Sequence, residues 1–330
     1  MSELKLASYQ VKAKVNRLLE SVSYNHHLMN IPAAWKFSKG GGIKVGVLDT
    51  GCPDHDDLSI DSRWSAFDST EDKNGHATHV AGIIGARENE RGIIGIAPRC
   101  ALYSYKVLND GGEGSIYGIA EGITQAVSDG CDIINVSIGL SNRLPAKLLQ
   151  TACELAAAEG IIIVAAAGND FGMIDQPACY DSVIAVGAVN QNLGIAYFSN
   201  YGKEMDFAAG GVDIFSTWLE NSYARLSGTS MAAPVITGLC ALILGEHRSR
   251  ENHTSSPKTP INNVLDMVEH IKRFAYDLGP EGFDEQFGYG IPIFQAPEKA
   301  VVKTGKQVIL EELAEVSSKI EALRQAVKEL

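Results

Sequence analysis

Ser230 stands in Gly228-Thr229-Ser230-Met231-Ala232-Ala233-Pro234, a glycine-led turn directly ahead of a long apolar segment. Val235, Ile236, Leu239, Cys240, Leu242, Ile243 and Leu244 leave hardly any polar face, so the segment reads as a helix buried in a sizeable domain. A hydroxyl in its first turn has free backbone N–H groups and the positive end of the helix dipole beside it, a setting that stabilises developing negative charge. The chemistry on offer is nucleophilic attack. Serine is also a preferred N-cap, and taken alone this one reads as a cap.

Two further stretches hold partners for such a hydroxyl. Val47-Leu48-Asp49-Thr50-Gly51 ends an apolar run on a carboxylate, and Asn74-Gly75-His76-Ala77-Thr78-His79-Val80-Ala81-Gly82 places two histidines near the start of a helical pattern. Asp49 alone is also a strand-end cap, and His76 with His79 is also a surface pair or two metal ligands. No third carboxylate or cysteine sits at ligand spacing nearby, which weakens the metal alternative. The order Asp, His, Ser along the chain is one of three unrelated orders in which a nucleophilic triad occurs.

Such groups need a rigid frame, and the intervening sequence supplies one. Ile43 to Leu48, Ala101 to Val107, Ile133 to Ser137, Ile161 to Ala167 and Val183 to Val189 are short apolar runs of the kind buried on both faces of a parallel sheet. Between them lie helical patterns at His76 to Ala86, Ile116 to Val127 and Pro145 to Glu159, with a further helix at Ile261 to Lys272. The alternation predicts an α/β domain of three layers around a mostly parallel central sheet, with polar residues at the carboxyl ends of strands where such sheets bind ligands. Residues 248 to 260 read as a polar surface loop.

The chain has 330 residues, 45% hydrophobic and 21% charged, enough for one large core. A net charge of -12 argues against nucleic-acid or anionic-membrane surfaces. Peptides or soluble proteins remain as partners. Met1 to Gln10 holds no apolar run of signal or spanning length, and six dispersed cysteines without a CxxC pair read as buried free thiols. Both observations predict a cytoplasmic protein.

Taken together with Lys106-Val107-Leu108, Asn135-Val136-Ser137-Ile138-Gly139 and Ala165-Ala166-Ala167-Gly168-Asn169, these motifs resemble the subtilisin-like serine proteases (subtilases), intracellular bacterial members in particular, over roughly residues 27 to 300. Ala77 stands where the family usually has Gly, and Val235 where a His often follows the Pro. Neither removes a reacting group. The resemblance implies Ser230 as nucleophile, His76 as general base and acid, Asp49 as the orienting carboxylate and Asn169 as a side-chain oxyanion donor. No cofactor is needed for that chemistry. It further implies a peptide lying between Gly112-Glu113-Gly114 and Ser137-Ile138-Gly139, with Ala166 and Gly168 lining the substrate cleft and Asp175, two residues before Pro177, at the floor of the primary pocket. A carboxylate there favours a basic P1 residue. Asp57 and Asn89 match side-chain ligands of a structural calcium site, with carbonyls at Arg87, Arg91 and Ile93; the two arginines oppose it, and the N-terminal ligand of relatives has no clear counterpart.

Outside the peptidase domain (27–302) lie two amphipathic stripes. In the arm (1–26), Leu4, Val11, Val15, Leu18 and Val22 predict a helix, which either covers the cleft between Gly112 and Gly139 or covers an apolar patch. In residues 303–330, Ile309, Leu313, Val316, Ile320, Leu323, Val327 and Leu330 alternate by four and three as a coiled-coil seam. The two terminal helices are expected to pair and to support a homo-oligomer.

Overall fold

The computed structural model describes residues 3–5, 14–15, 20–140, 145–251 and 261–294. The chain opens with two short strands, β1 (Glu3–Lys5) and β2 (Lys14–Val15), then two short helices, α1 (Tyr24–Leu28) and α2 (Ile31–Ala34). Next come β3 (Lys44–Asp49), β4 (Ile60–Ser65), α3 (His76–Gly85), β5 (Ala101–Lys106), β6 (Glu113–Ser115) and α4 (Ile116–Ser128). They are followed by β7 (Ile133–Val136), α5 (Lys147–Ala158), β8 (Ile162–Ala166), β9 (Ile184–Val189) and β10 (Phe207–Gly210). The hairpin β11 (Ile214–Trp218) and β12 (Ser222–Leu226) leads into α6 (Thr229–Glu251), and α7 (Val264–Lys272), β13 (Ala275–Tyr276) and β14 (Ile291–Pro292) close the described chain.

Seven strands form one sheet in the order β10-β9-β8-β7-β3-β5-β4, and every pair in it is parallel. This is the three-layer α/β arrangement that the strand–helix alternation predicts. Side chains alternate between two cores. Val45, Val47, Ile133, Ile162 and Val164 face the core that holds residues of α3 and α6, while Leu48, Ile134, Val136, Ile163 and Ala165 face the one built on α4 and α5. The register is therefore fixed, because slipping any of these strands by one residue would exchange its two faces. Leu48 pairs Val136, and Val136 pairs Ala165, which brings Asp49, Ser137 and Ala166 level at the carboxyl end. α6 is long and apolar enough to span a membrane by composition, yet its apolar stretch is 94% buried inside the domain.

Two expectations are corrected. Of the stripe expected to be helical, the described Leu4 and Val15 lie in strands instead: β1 pairs antiparallel with β6, and β2 with β12. An isolated amphipathic helix must find a surface for its stripe, whereas β6 and β12 offer open rows of backbone N–H and C=O groups that an extended segment satisfies at once. The helix α6 continues to Glu251, so the polar run begun at Arg248 is partly its last turn. The coiled-coil seam of 303–330 lies outside the described residues.

Candidate active site

Asp49 ends β3, the strand enclosed between β5 and β7, and it has no exposed surface. His76 opens α3 after Gly75, whose φ of 97° suits glycine and whose added Cβ would lie 2.6 Å from the Trp218 ring. The two meet in the interior: His76 Nδ1 lies 2.9 Å from Asp49 Oδ1 and 2.8 Å from Oδ2. With its Nδ1–H given to the carboxylate, the ring keeps Nε2 as an acceptor.

Ser230 lies in the first turn of α6, and Pro234 explains how that turn is tied down. Proline has no N–H to give the carbonyl four residues back, so Ser230 O lacks that helical bond. Ser137 Oγ donates to it instead at 3.1 Å, and Ser230 Oγ in turn donates to Ser137 O at 3.1 Å. The turn that carries Ser230 is thus fastened to the end of β7. Asn169 follows β8, and its Oδ1 accepts from Thr229 N at 2.9 Å and from Thr229 Oγ1 at 2.8 Å. Its acceptor end is consumed there, which leaves Nδ2 as a donor beside Gly228 at the head of the same turn.

His79, the second histidine of the motif, does other work. It is fully buried, burial pushes its pKa down to about 3, and its Nε2 is shared between Ile214 O and Ala224 O, both 3.1 Å away. A neutral ring here fastens the β11–β12 hairpin to α3. Among the described residues no three His, Cys, Asp or Glu gather as metal ligands.

Of the two expected substrate edges, β6 (Glu113–Ser115) is half-exposed and paired with the chain's own β1, while Ser137 and Ile138, after β7, are buried. Leu4 is the partner of Gly114, and Lys5 of Glu113. Asp175 packs between the two remaining cleft glycines, since a Cβ added at Gly139 or Gly168 would collide with its carboxylate. It is 7% exposed, and burial first, then the charge of Asp170, pushes its pKa up to about 7. Both acids line a cavity of about 640 Å³, roomy enough for a long side chain.

At the loop 87–93, Asp57 is fully buried and accepts from Asn89 Nδ2 at 3.0 Å, Ile93 N at 3.0 Å and Tyr223 OH at 2.9 Å. Arg87 and Arg91 turn to Asp56 instead. Glu20, which the sequence did not single out, reaches the same loop: its Oε1 accepts from Asn89 N at 2.7 Å and Glu90 N at 2.8 Å. Thr50 and Asp72, between Asp49 and His76, were also missed. The only sequence signal for Asp72 is an acid followed by Asn74-Gly75 ahead of a helix, the usual chemistry of a capped turn.

With this geometry described, comparison with known proteins gives the class: a model of the Subtilase family matches residues 40–290. The chain belongs to that family, and its catalytic class is that of a serine endopeptidase. It is 36% identical over 315 residues to the Minor extracellular protease Epr of Bacillus subtilis (strain 168), covering 93% of this chain and 47% of that protein, so it spans about half of Epr. It is 40% identical over 265 residues to Subtilisin Savinase of Lederbergia lenta, covering 79% of this chain and 93% of that protein. With Subtilisin DY of Bacillus licheniformis it shares 45% over 219 residues, 63% and 79% of the two chains.

These relatives overturn the cytoplasmic expectation, since one of the most similar is by name an extracellular protease. The thiols were a poor guide to compartment. Cys52, Cys131, Cys153 and Cys240 are buried, and burial raises the pKa of each, so they are protected wherever the protein resides.

Proposed function

We propose that Ser230, His76 and Asp49 hydrolyse peptide bonds as a triad. The observation that carries this is the buried His76–Asp49 pair, with both carboxylate oxygens within 2.9 Å of Nδ1. As Ser230 Oγ attacks the scissile carbonyl, His76 Nε2 takes its proton and returns it to the leaving amine, while Asp49 stabilises the imidazolium. The oxyanion takes hydrogen bonds from Asn169 Nδ2 and Ser230 N. Labelling by a fluorophosphonate tests the assignment: the parent should be labelled at Ser230 and Ser230→Ala should be inert, and full hydrolysis by Ser230→Ala would refute it.

The peptide adds as a strand to β6, with its P1 side chain directed at Asp175. Lysine or arginine supplies the charge that this desolvated carboxyl lacks, so basic P1 residues are preferred. Because β1 already occupies β6, the arm is a competitive occupant of the same backbone edge. The carboxylate of Asp57 supports a calcium role for its loop: it is buried without an ion pair to any described Lys or Arg, and charge so placed calls for a cation. Asn89 and Glu20 would supply further oxygens of the kind a hard cation takes. Self-association would run through residues 303–330.

A further inference from the structure

Thr50 lies between two members of the proposed triad and touches the machinery of both. Its N–H donates to Asp49 Oδ1 at 2.7 Å, and its carbonyl accepts from the buried Lys106 Nζ at 2.6 Å. Its Oγ1 accepts from Ala77 N, the residue after His76, at 3.1 Å and donates to Asp72 Oδ1 at 2.9 Å. One side chain therefore joins the end of β3 to the first turn of α3.

Asp72 holds the other side of that joint. It is 4% exposed and collects five donors: Thr50 Oγ1, Asn74 N at 2.9 Å and Gly75 N at 2.8 Å on Oδ1, with Thr78 N at 3.1 Å and Thr78 Oγ1 at 2.7 Å on Oδ2. The N-cap residue of α3 is a glycine with no side-chain bond to give, and its first turn holds no acid. Asp72 caps the helix from outside, placing a negative charge at its positive end. Since a hydroxyl has one proton, giving it to Asp72 orients the Thr50 lone pairs toward Ala77 N.

We propose that Asp72, acting through the Thr50 hydroxyl, is a positioning residue that sets His76 against Asp49. The proposal rests on the triad assignment. A cap alone would only stabilise α3; a brace also fixes the separation of two groups that belong to different elements, and reaction rate is sensitive to errors of about 1 Å in such placement.

The test is steady-state hydrolysis of a peptide substrate by the full chain and its Thr50→Val, Thr50→Ser and Asp72→Asn variants, with melting temperatures recorded alongside. Thr50→Val and Asp72→Asn should lower kcat about tenfold with little change in KM, and Thr50→Ser should restore the parent value. In an Asp49→Asn background, Thr50→Val should cost nothing more, because the group it positions is already gone. Lowered melting temperatures with parental kcat, or losses that add in the double variant, overturn the brace. Should Thr50→Val fail to fold, Asp72→Asn, which keeps the side-chain shape, decides by the same kcat measurement. If Ser230→Ala stays active, the triad falls and the brace with it; if Ser230→Ala is inactive and both brace variants keep parental kcat, the brace alone is lost.

Discussion

The carboxyl ends of β3, β7 and β8 and the strand β6 are held by different forces. The three sheet strands are buried at nearly every position, with side chains wedged into a core on each face. Their ends cannot move without disturbing close-packed layers. β6 is half-exposed and is paired through its backbone with β1. Backbone pairing accepts any extended segment. The difference teaches that the groups which need fixed geometry stand where packing is dense, and that exchangeable occupancy, by the arm or by substrate, is left to open edges.

Altering the dense side should cost most. Asn169→Ala removes the donor aimed by Thr229 and should reduce kcat by about 10²–10³ with KM nearly unchanged, a magnitude established for subtilisin rather than obtained from this geometry. A parental kcat would mean that the arrangement at Thr229 serves the turn alone. Next in size is the pocket acid. Asp175 is ionised above about pH 7 and protonated below it, so the ratio of kcat/KM for lysine over leucine at P1 should rise as pH is taken from 6 to 8.5. Asp175→Asn should flatten that rise and lower the ratio at pH 8.5 about 10- to 100-fold. A pH-independent ratio, identical in the variant, would remove Asp175 from specificity.

On the open side the effects should be smaller. A chain beginning at Glu20 lacks β1 and β2, and its KM for a peptide should fall about tenfold at constant kcat, as expected when a tethered competitor leaves. An unchanged KM would show that the arm does not compete. Smallest is the loop at Asp57: calcium added after chelator treatment should raise the melting temperature by a few degrees, about 4 °C per kcal/mol of binding linkage at most for a domain this large. Glu20→Ala should reduce the rise, and no shift in the parent would leave Asp57 served by its three neutral donors.

How much was legible follows the same division. Strands β3, β7, β8 and β9 were visible because two-faced burial writes a continuous apolar run, and α4 and α5 because one-sided burial writes a helical period. β4 escaped, since only intermediate burial constrains Ile60–Ser65 at the sheet's edge. The hairpin β11–β12 escaped too. The arm's stripe was misread because spacings of three and four fit a helix, and nothing local reveals that two distant strands lie open to be paired. Glu20 and Asp72 were hidden for a related reason: each acts through backbone amides, and amides leave no residue type to recognise.

By itself, the sequence determined the layered α/β frame and the candidate reacting groups, because hydrophobic periodicity and side-chain chemistry are local properties carried by residue identity. The tertiary structure alone decided that Ser137 replaces the hydrogen bond Pro234 cannot give, that Asp72 binds the turn before His76, and that residues 3–5 pair with β6. Each of these joins backbone groups far apart in the chain, and every non-proline residue carries the same N–H and C=O, so only their placement in space distinguishes which pairs form.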